Sequence, residues 1–227
     1  MQLVEDIINE LVETSISISS PFLKTKVLAS RIQNEELHKW VSNELDGYRD
    51  YDSVPEYRIY GCNISGDYVI GQMKYTNHPI PVSGLNKEIE TFLRFMKFRQ
   101  GISGLENLRK TNKSGIIESR LPAEMIGLIS TNLKSRGNPY VFVSTVKLYI
   151  AIGVVDEILS KVRNRLLDFM LKLESEFGSE SELRELKARN KEITTIVHQT
   201  IINTMGDGNV INTADNAVLD TNNEISK

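Results

Sequence analysis

The stretch VDEILSKVRNRLLDFMLKLESEFG, residues 155–178, gives the strongest structural signal in the sequence. Its apolar residues recur at helical spacing, which places all of them on one face of an α-helix. They are Val155, Ile158, Leu159, Val162, Leu166, Phe169, Met170, Leu173 and Phe177. Gly178 is well placed to end the helix, because glycine readily adopts the backbone conformation found at helix C-termini. The pattern predicts one long helix packed along a single face.

The chain up to Gly47 indicates three shorter helices. A first apolar stripe consists of Leu3, Val4, Ile7, Ile8, Leu11 and Val12. Ser20 followed by Pro21 is typical of an N-cap and the first position of a second helix. Asn34 can cap a third helix, which Gly47 can end. We interpret this part as an N-terminal helical lobe.

The middle of the chain alternates between strand and helix signals. The run PEYRIYGCNISGDYVIGQMKYTNHPIPV predicts two antiparallel strands, Tyr57–Ile64 and Tyr68–Tyr75, joined at Gly66-Asp67. Helical spacing returns at Leu85 and continues to Leu108. A helix led by Pro122 should end before Gly137, and YVFVSTVKLYI, residues 140–150, predicts a further strand.

The C-terminal part changes character after Gly178. Ser179 and Glu182 form a capping-box pattern for a polar helix, and the β-branched run from Ile193 to Thr204 predicts a strand. We divide the chain into an α+β domain (1–178), a linker helix (179–192) and a β-branched, Asn/Asp-rich repeat segment (193–227). The predicted fold is α+β, with an N-terminal helical lobe, a small antiparallel sheet, the long packed helix and a C-terminal β-rich appendage.

A short unit recurs in the repeat segment. IINT (201–204), VINT (210–213) and VLDT (218–221) each place two aliphatic residues before Asn or Asp and Thr. A unit this small cannot bury its own apolar pair, so it must stack on a neighbour, on the domain or on another subunit. Asn190 also lies at an a position of a short heptad-like pattern. The predicted oligomerisation residues are Asn190, Ile201, Ile202, Val210, Ile211, Val218 and Leu219.

Composition is that of a cytoplasmic protein. The chain has 227 residues, a net charge of −3, one cysteine and no apolar run long enough to span a membrane. Residues 206–227 hold four acidic side chains against one lysine, so the rest of the chain is neutral. This balance gives no global basic field for nucleic acid.

Catalytic motifs are weak, so we expect no cofactor and favour a non-enzymatic protein. His38, His78 and His198 show no metal-ligand spacing, and Cys62 with His78 is a weak candidate for a nucleophile and its base. Gly206-Asp207-Gly208 lacks the rest of a phosphate loop. The carboxylates Glu35, Glu36 and Glu44 could serve acid–base chemistry, but a solvated helix face is the favoured interpretation.

A basic and aromatic stretch, TFLRFMKFRQGISGLENLRKTNK (91–113), is the main nucleic-acid candidate. Its cations are Arg94, Lys97, Arg99, Arg109, Lys110 and Lys113, and Phe92, Phe95 and Phe98 are interleaved among them. Cations with rings could hold a backbone and stack bases. The alternative is an amphipathic helix with its phenylalanines in the core, and we favour it.

Three blocks of sequence resemble a known family. They are FLKTKVLASRIQNEELHKWVSNELDGY (22–48), VPEYR (54–58) and ILSKVRNRLLDF (158–169), followed by a β-branched, Asn/Gly-rich run. In this order they resemble the AbiTii family of bacterial abortive-infection proteins over most of residues 1–205. The resemblance includes Arg163, which we expect to pair with a buried carboxylate.

The resemblance implies a role in bacterial defence against phage. Our first hypothesis is a defence protein that acts through self-association or by binding a partner effector or phage protein, and not at a membrane. The alternative is a toxic effector enzyme that acts on nucleic acid or nucleotides through the basic stretch.

Overall fold

The computed structural model describes residues 2–137, 139–178 and 183–202. The predicted long helix is confirmed as α7, Gly153–Phe177, and all nine residues of its apolar stripe are buried. Gly178 ends it with φ 77°, and its amide donates to the Glu174 carbonyl at 2.8 Å. This helix is the central element of the larger of two main hydrophobic cores.

The N-terminal helical lobe is also confirmed. It contains α1 (Gln2–Val12), α2 (Ser19–Ile32) and α3 (Glu35–Asp46), which pack with α7. Asn34 caps α3 as predicted, since its Oδ1 accepts from the Leu37 amide at 2.9 Å. The predicted Ser20 cap is wrong, because α2 begins at Ser19 and the Ser20 hydroxyl donates to Glu10 at 2.8 Å.

The predicted small antiparallel sheet has four strands, which are β2 (Asn63–Ile70), β3 (Met73–Pro79), β5 (Ile116–Arg120) and β6 (Val141–Ala151). Their order across the sheet is β3-β2-β6-β5. The predicted turn at Gly66-Asp67 is wrong, since β2 runs through both residues and turns at Gly71. Gly66 is needed for close packing instead: a Cβ there would lie 2.0 Å from the Thr145 carbonyl oxygen.

The predicted helix from Leu85 to Leu108 is interrupted. It consists of α4 (Lys87–Arg94), the short strand β4 (Phe95–Lys97) and α5 (Ile102–Thr111). Strand β4 pairs with β1 (Ile59–Gly61), which follows a 3₁₀ turn at Glu56–Arg58. The pairing breaks the helical period. The helix after Pro122 is confirmed as α6, Ala123–Ser135, and it covers one face of the larger sheet.

The expected C-terminal strand is wrong over residues 193–202. The chain there forms the C-terminal part of α9 (Asn190–Val197) and a π-helical turn, His198–Ile202, and the short helix α8 (Leu183–Ala188) precedes them. Ile193, Ile196, Val197 and Ile201 recur at helical spacing and are buried in the core of α7, and this burial outweighs their β-branched preference. The capping box at Ser179 and the later repeat units lie outside the described residues. No helix within the described ranges is both long and apolar enough to cross a membrane.

Candidate functional site

An open groove lies over the short β1–β4 sheet. Ile59 of β1 and Phe95 and Lys97 of β4 form its floor, and they share one face because Ile59 pairs with Lys97 in the register. Tyr51 and Asp52 form one wall, and α4 forms the other with Asn86, Lys87, Glu88, Thr91 and Phe92. The groove has a volume of about 890 Å³. We call it the ring groove.

Aromatic rings and one ammonium group define the chemistry of the ring groove. The rings of Tyr51 and Phe92 lie 6.1 Å apart between centroids and reach towards each other from opposite walls. Lys97 places its Nζ 4.2 Å from the centroid of the Tyr51 ring and donates to the Tyr51 carbonyl at 3.2 Å. Burial raises the pKa of the Tyr51 hydroxyl, which stays protonated at neutral pH.

The other five cations of the basic stretch do not line the ring groove. Arg94 pairs with Glu90 on the same helix, with Nε 2.9 Å from Oε1. Arg99 donates to the backbone carbonyls of Tyr48 and Arg49. Arg109 pairs with Asp156 of α7 at 2.7 Å, and Lys110 and Lys113 are exposed at the end of α5. The phenylalanines of the basic stretch also differ in their exposure to solvent, since Phe98 is buried and Phe92 is 41% exposed.

A buried polar network lies beneath the loop that carries Tyr51. The Glu44 carboxylate accepts from the hydroxyls of Tyr48 (2.6 Å) and Tyr57 (2.7 Å) and from the Arg58 guanidinium. Trp40 Nε1 donates to the Tyr57 hydroxyl at 2.9 Å. Burial, and then the Glu44 charge, raise the pKa of both tyrosines. The network therefore holds one carboxylate and one guanidinium in a dry site.

The expectation of a solvated face is wrong for Glu44, although Glu35 and Glu36 are exposed as expected. A sequence signal exists, because Glu44 continues the apolar stripe of Leu37 and Val41. The interpretation of Arg163 also needs correction. Its guanidinium donates to three backbone carbonyls, those of Leu11 (2.7 Å), Glu13 (3.0 Å) and Ile16 (2.9 Å), and not to a carboxylate.

Cys62 and His78 have separate partners. The Cys62 thiol donates to the Leu93 carbonyl at 3.5 Å, and burial raises its pKa to about 11, which is opposite to the activation that a nucleophile needs. His78 Nδ1 lies 2.7 Å from the Tyr68 hydroxyl. Across the described ranges, no group of three or more His, Cys, Asp or Glu side chains could hold a metal ion.

The described oligomerisation candidates lie where the C-terminal helices meet the core. Asn190 accepts from Asn34 Nδ2 at 2.6 Å and donates to the Gln33 carbonyl at 2.8 Å. Ile201 is buried, and its carbonyl accepts from Arg165, whose guanidinium carbon lies 4.3 Å from the centroid of the Tyr57 ring. Ile202 is 47% exposed. Val210, Ile211, Val218 and Leu219 lie outside the described residues.

The family model named AbiTii matches residues 2–199 of the 227 in the chain. The chain belongs to the AbiTii family. The resemblance carried by the blocks around Trp40, Arg58 and Arg163 is thereby confirmed. No curated protein and no solved structure matches the chain.

The AbiTii match runs from α1 through α9, so it includes both the ring groove and the buried network around Glu44. The sequence identified Lys97 and Phe92 but missed Tyr51 and Ile59. Ile59 joins the groove through the pairing of β1 with β4. Tyr51 lies in the segment between α3 and β1, where its carbonyl accepts from Lys97, so neither residue belongs to the contiguous stretch 91–113.

Proposed function

We propose that this AbiTii protein acts in abortive infection by binding another protein, in the first place a second copy of itself, and not by catalysis. The family supports the role in defence against phage. The proposed partners beyond a second copy are an effector or a phage protein in the cytoplasm of the infected cell.

The exposed end of the four-stranded sheet carries this proposal. Ile70 of β2 pairs with Met73 on one side and Val141 on the other, and the Gly71 amide donates to the Tyr140 carbonyl at 3.4 Å. Met73, Tyr140 and Phe142 therefore lie at this end of the sheet, with Met73 on the face of Val141 and Phe142 on the opposite face, and they are 66%, 77% and 63% exposed. We call these three residues the sheet tip. Methionine and aromatic side chains are enriched at protein interfaces, so this exposed end of the sheet suits a docking surface.

The repeat units are the second part of the proposed assembly. Ile202, which belongs to the first repeat, has an exposed side chain. The aliphatic pairs of the later units at 210–211 and 218–219 would be buried by stacking on the same segment of another copy.

Light scattering of the full chain tests both surfaces. Tyr140→Ser with Phe142→Ser should lower the mass in solution and the protection against phage in a plaque assay. The combined variant Val210→Ser, Ile211→Ser, Val218→Ser and Leu219→Ser should do the same. Leu171→Ser on α7, which is 45% exposed, serves as the control. A wild type that is strictly monomeric, and variants that all protect fully, would refute the proposal.

A second candidate function is an effector that acts on nucleic acid or nucleotides through the basic stretch 91–113. The observation that favours it is the position of Lys97 among the rings of the ring groove. Loss of protection on changing Lys97, with the fold and mass unchanged, would favour this candidate over assembly.

A further inference from the structure

The ring groove has the size and lining of a small-molecule site. Its volume of about 890 Å³ falls within the range of ligand pockets, which are mostly apolar with a few polar groups that fix orientation. Tyr51, Phe92, Phe95 and Ile59 supply its apolar surface. Lys97 and the side chains of Asn86 and Thr91 supply polar groups at the floor and rim.

Lys97 has capacity for an anionic ligand. Its ammonium can donate three hydrogen bonds, and among the described residues it has one acceptor within hydrogen-bond distance, the Tyr51 carbonyl. The nearest carboxylate oxygen, on Asp52, lies 3.8 Å away on a side chain that is 92% exposed, so water screens this pair. The Lys97 side chain itself is only 22% exposed. A half-buried cation with unused donors is complementary to an anion that enters the groove.

The rings offer stacking surfaces beside this cation. Phe92 is 41% exposed although its helix has a core-facing side, and Tyr51 projects from the opposite wall. Every nucleobase has a π-face, so any of the bases can stack on an aromatic side chain and contribute to binding. An aromatic ring with an attached anion therefore matches both features of the groove.

We propose that the ring groove binds a nucleotide unit, with its base stacked on Phe92 or Tyr51 and its phosphate bound by Lys97. The inference rests on the second candidate function above and narrows it to one ligand class at one site. Either a free mononucleotide or one nucleotide of a single-stranded nucleic acid can supply this base and phosphate.

The charges around the groove predict weak salt dependence. Lys87 and Lys97 are balanced by Asp52 and Glu88, so the lining has no net charge. For the single-stranded probe, one phosphate contact gives a slope of about −0.7 in a plot of log affinity against log salt. Binding along all six cations of the basic stretch would instead give a slope of about −4.

Isothermal titration of the full chain tests the proposal with two probes. These are the four nucleoside 5′-monophosphates, and a single-stranded oligonucleotide of about five units, which fits one binding site. Phe92→Ala and Lys97→Gln should each weaken binding about tenfold, since one removes the stacking ring and the other the ammonium. The matched control Leu128→Ala, at an exposed position on α6, should leave the affinity unchanged, and Lys113→Gln after α5 tests whether the basic stretch takes part. Thermal unfolding of each variant verifies that it folds.

The outcomes separate this inference from the broader candidate. Equal affinity for both probes assigns the site to a free nucleotide, and much tighter binding of the oligonucleotide assigns it to a strand. A steep salt slope, together with weaker binding in Lys113→Gln, would overturn the proposal that the groove is the binding site and would support binding along the basic stretch. Absence of binding to either probe up to about 1 mM, or binding unchanged in Phe92→Ala and Lys97→Gln, would also overturn it.

Discussion

Arg58 and Glu44 form an ion pair in which neither side chain has any exposed surface. The guanidinium donates through Nε to Glu44 Oε1 at 3.3 Å and through Nη2 to Oε2, so both carboxylate oxygens are used. Arg58 Nη1 also donates to the carbonyls of Phe98 (3.1 Å) and Gln100 (2.8 Å). The pair therefore joins α3 to the start of β1 and to the chain after β4.

Glu44→Gln should destabilise the fold by about 3 kcal/mol, because it leaves the Arg58 charge buried without its counter-charge. Urea unfolding at pH 7 measures the loss. Glu35→Gln, an exposed position on the same helix, should change the free energy of unfolding by less than about 0.5 kcal/mol.

Replacing both partners tests whether the loss of stability in Glu44→Gln comes from the Arg58 charge that is left buried without its counter-charge. Glu44→Gln with Arg58→Met removes both charges together and keeps an amide oxygen for the two tyrosine hydroxyls, so the double variant should lose less stability than Glu44→Gln alone. An unfolding free energy for Glu44→Gln within about 1 kcal/mol of wild type would contradict a dry, coupled pair.

Stability should fall steeply above about pH 10. Burial and the Glu44 charge raise the pKa of Tyr48 and Tyr57 above the value of about 10 that they have in an unfolded chain. Above that pH the unfolded state releases protons that the native state keeps, so rising pH favours unfolding. Each tyrosine then contributes a loss of about 1.4 kcal/mol per pH unit. Below pH 10 the contribution is fully present.

Tyr48→Phe isolates this effect, since it removes one of the two hydroxyls that donate to Glu44. The variant should lose about 1 kcal/mol at pH 7 and show an alkaline slope that is shallower by about 1.4 kcal/mol per pH unit. Tyr140→Phe, at a side chain that is 77% exposed, is the matched control. Equal alkaline slopes for Tyr48→Phe and wild type would refute the assignment.

The sequence predicts those elements in which the buried residues repeat at one regular spacing along the chain. The stripe from Val155 to Phe177 repeats along α7 without interruption, so periodicity alone predicts its length and buried face. Gly66 shows the limit of this reasoning. A glycine next to aspartate signals a turn, but here it permits the backbones of β2 and β6 to approach, which depends on a strand far along the chain.

The same limit applies to the sites. Glu44 could have been identified as buried, because it lies on the apolar stripe of α3. Its partner Arg58 and the groove residue Tyr51 come from irregular segments whose positions depend on tertiary contacts. Ile193 likewise has a β-branched local preference, and only its burial against the core explains its helical conformation.

Arg163→Lys should destabilise the α1–α2 connection although it preserves the charge. The guanidinium reaches the carbonyls of Leu11, Glu13 and Ile16 at once, and a lysine ammonium lacks the planar fork needed for all three. We expect a loss of about 1.5 kcal/mol, with faster hydrogen exchange confined to residues 11–18. Lys172→Gln, an exposed position on the same helix, is the control. Unchanged exchange there would show that the three hydrogen bonds do not hold this connection.

Asn190→Ala separates an intrachain role of this residue from a role between chains. Asn190 accepts a hydrogen bond from Asn34 Nδ2 and donates one to the Gln33 carbonyl, so it connects α9 to the junction of α2 and α3. Its loss should lower stability by about 1–3 kcal/mol and increase hydrogen exchange over residues 183–202, with the mass in light scattering unchanged. Lys191→Ala, at the exposed neighbouring position, should change neither quantity. A changed mass with wild-type stability would instead favour a register role for Asn190 between chains, because a polar residue at an a position sets the alignment of paired helices.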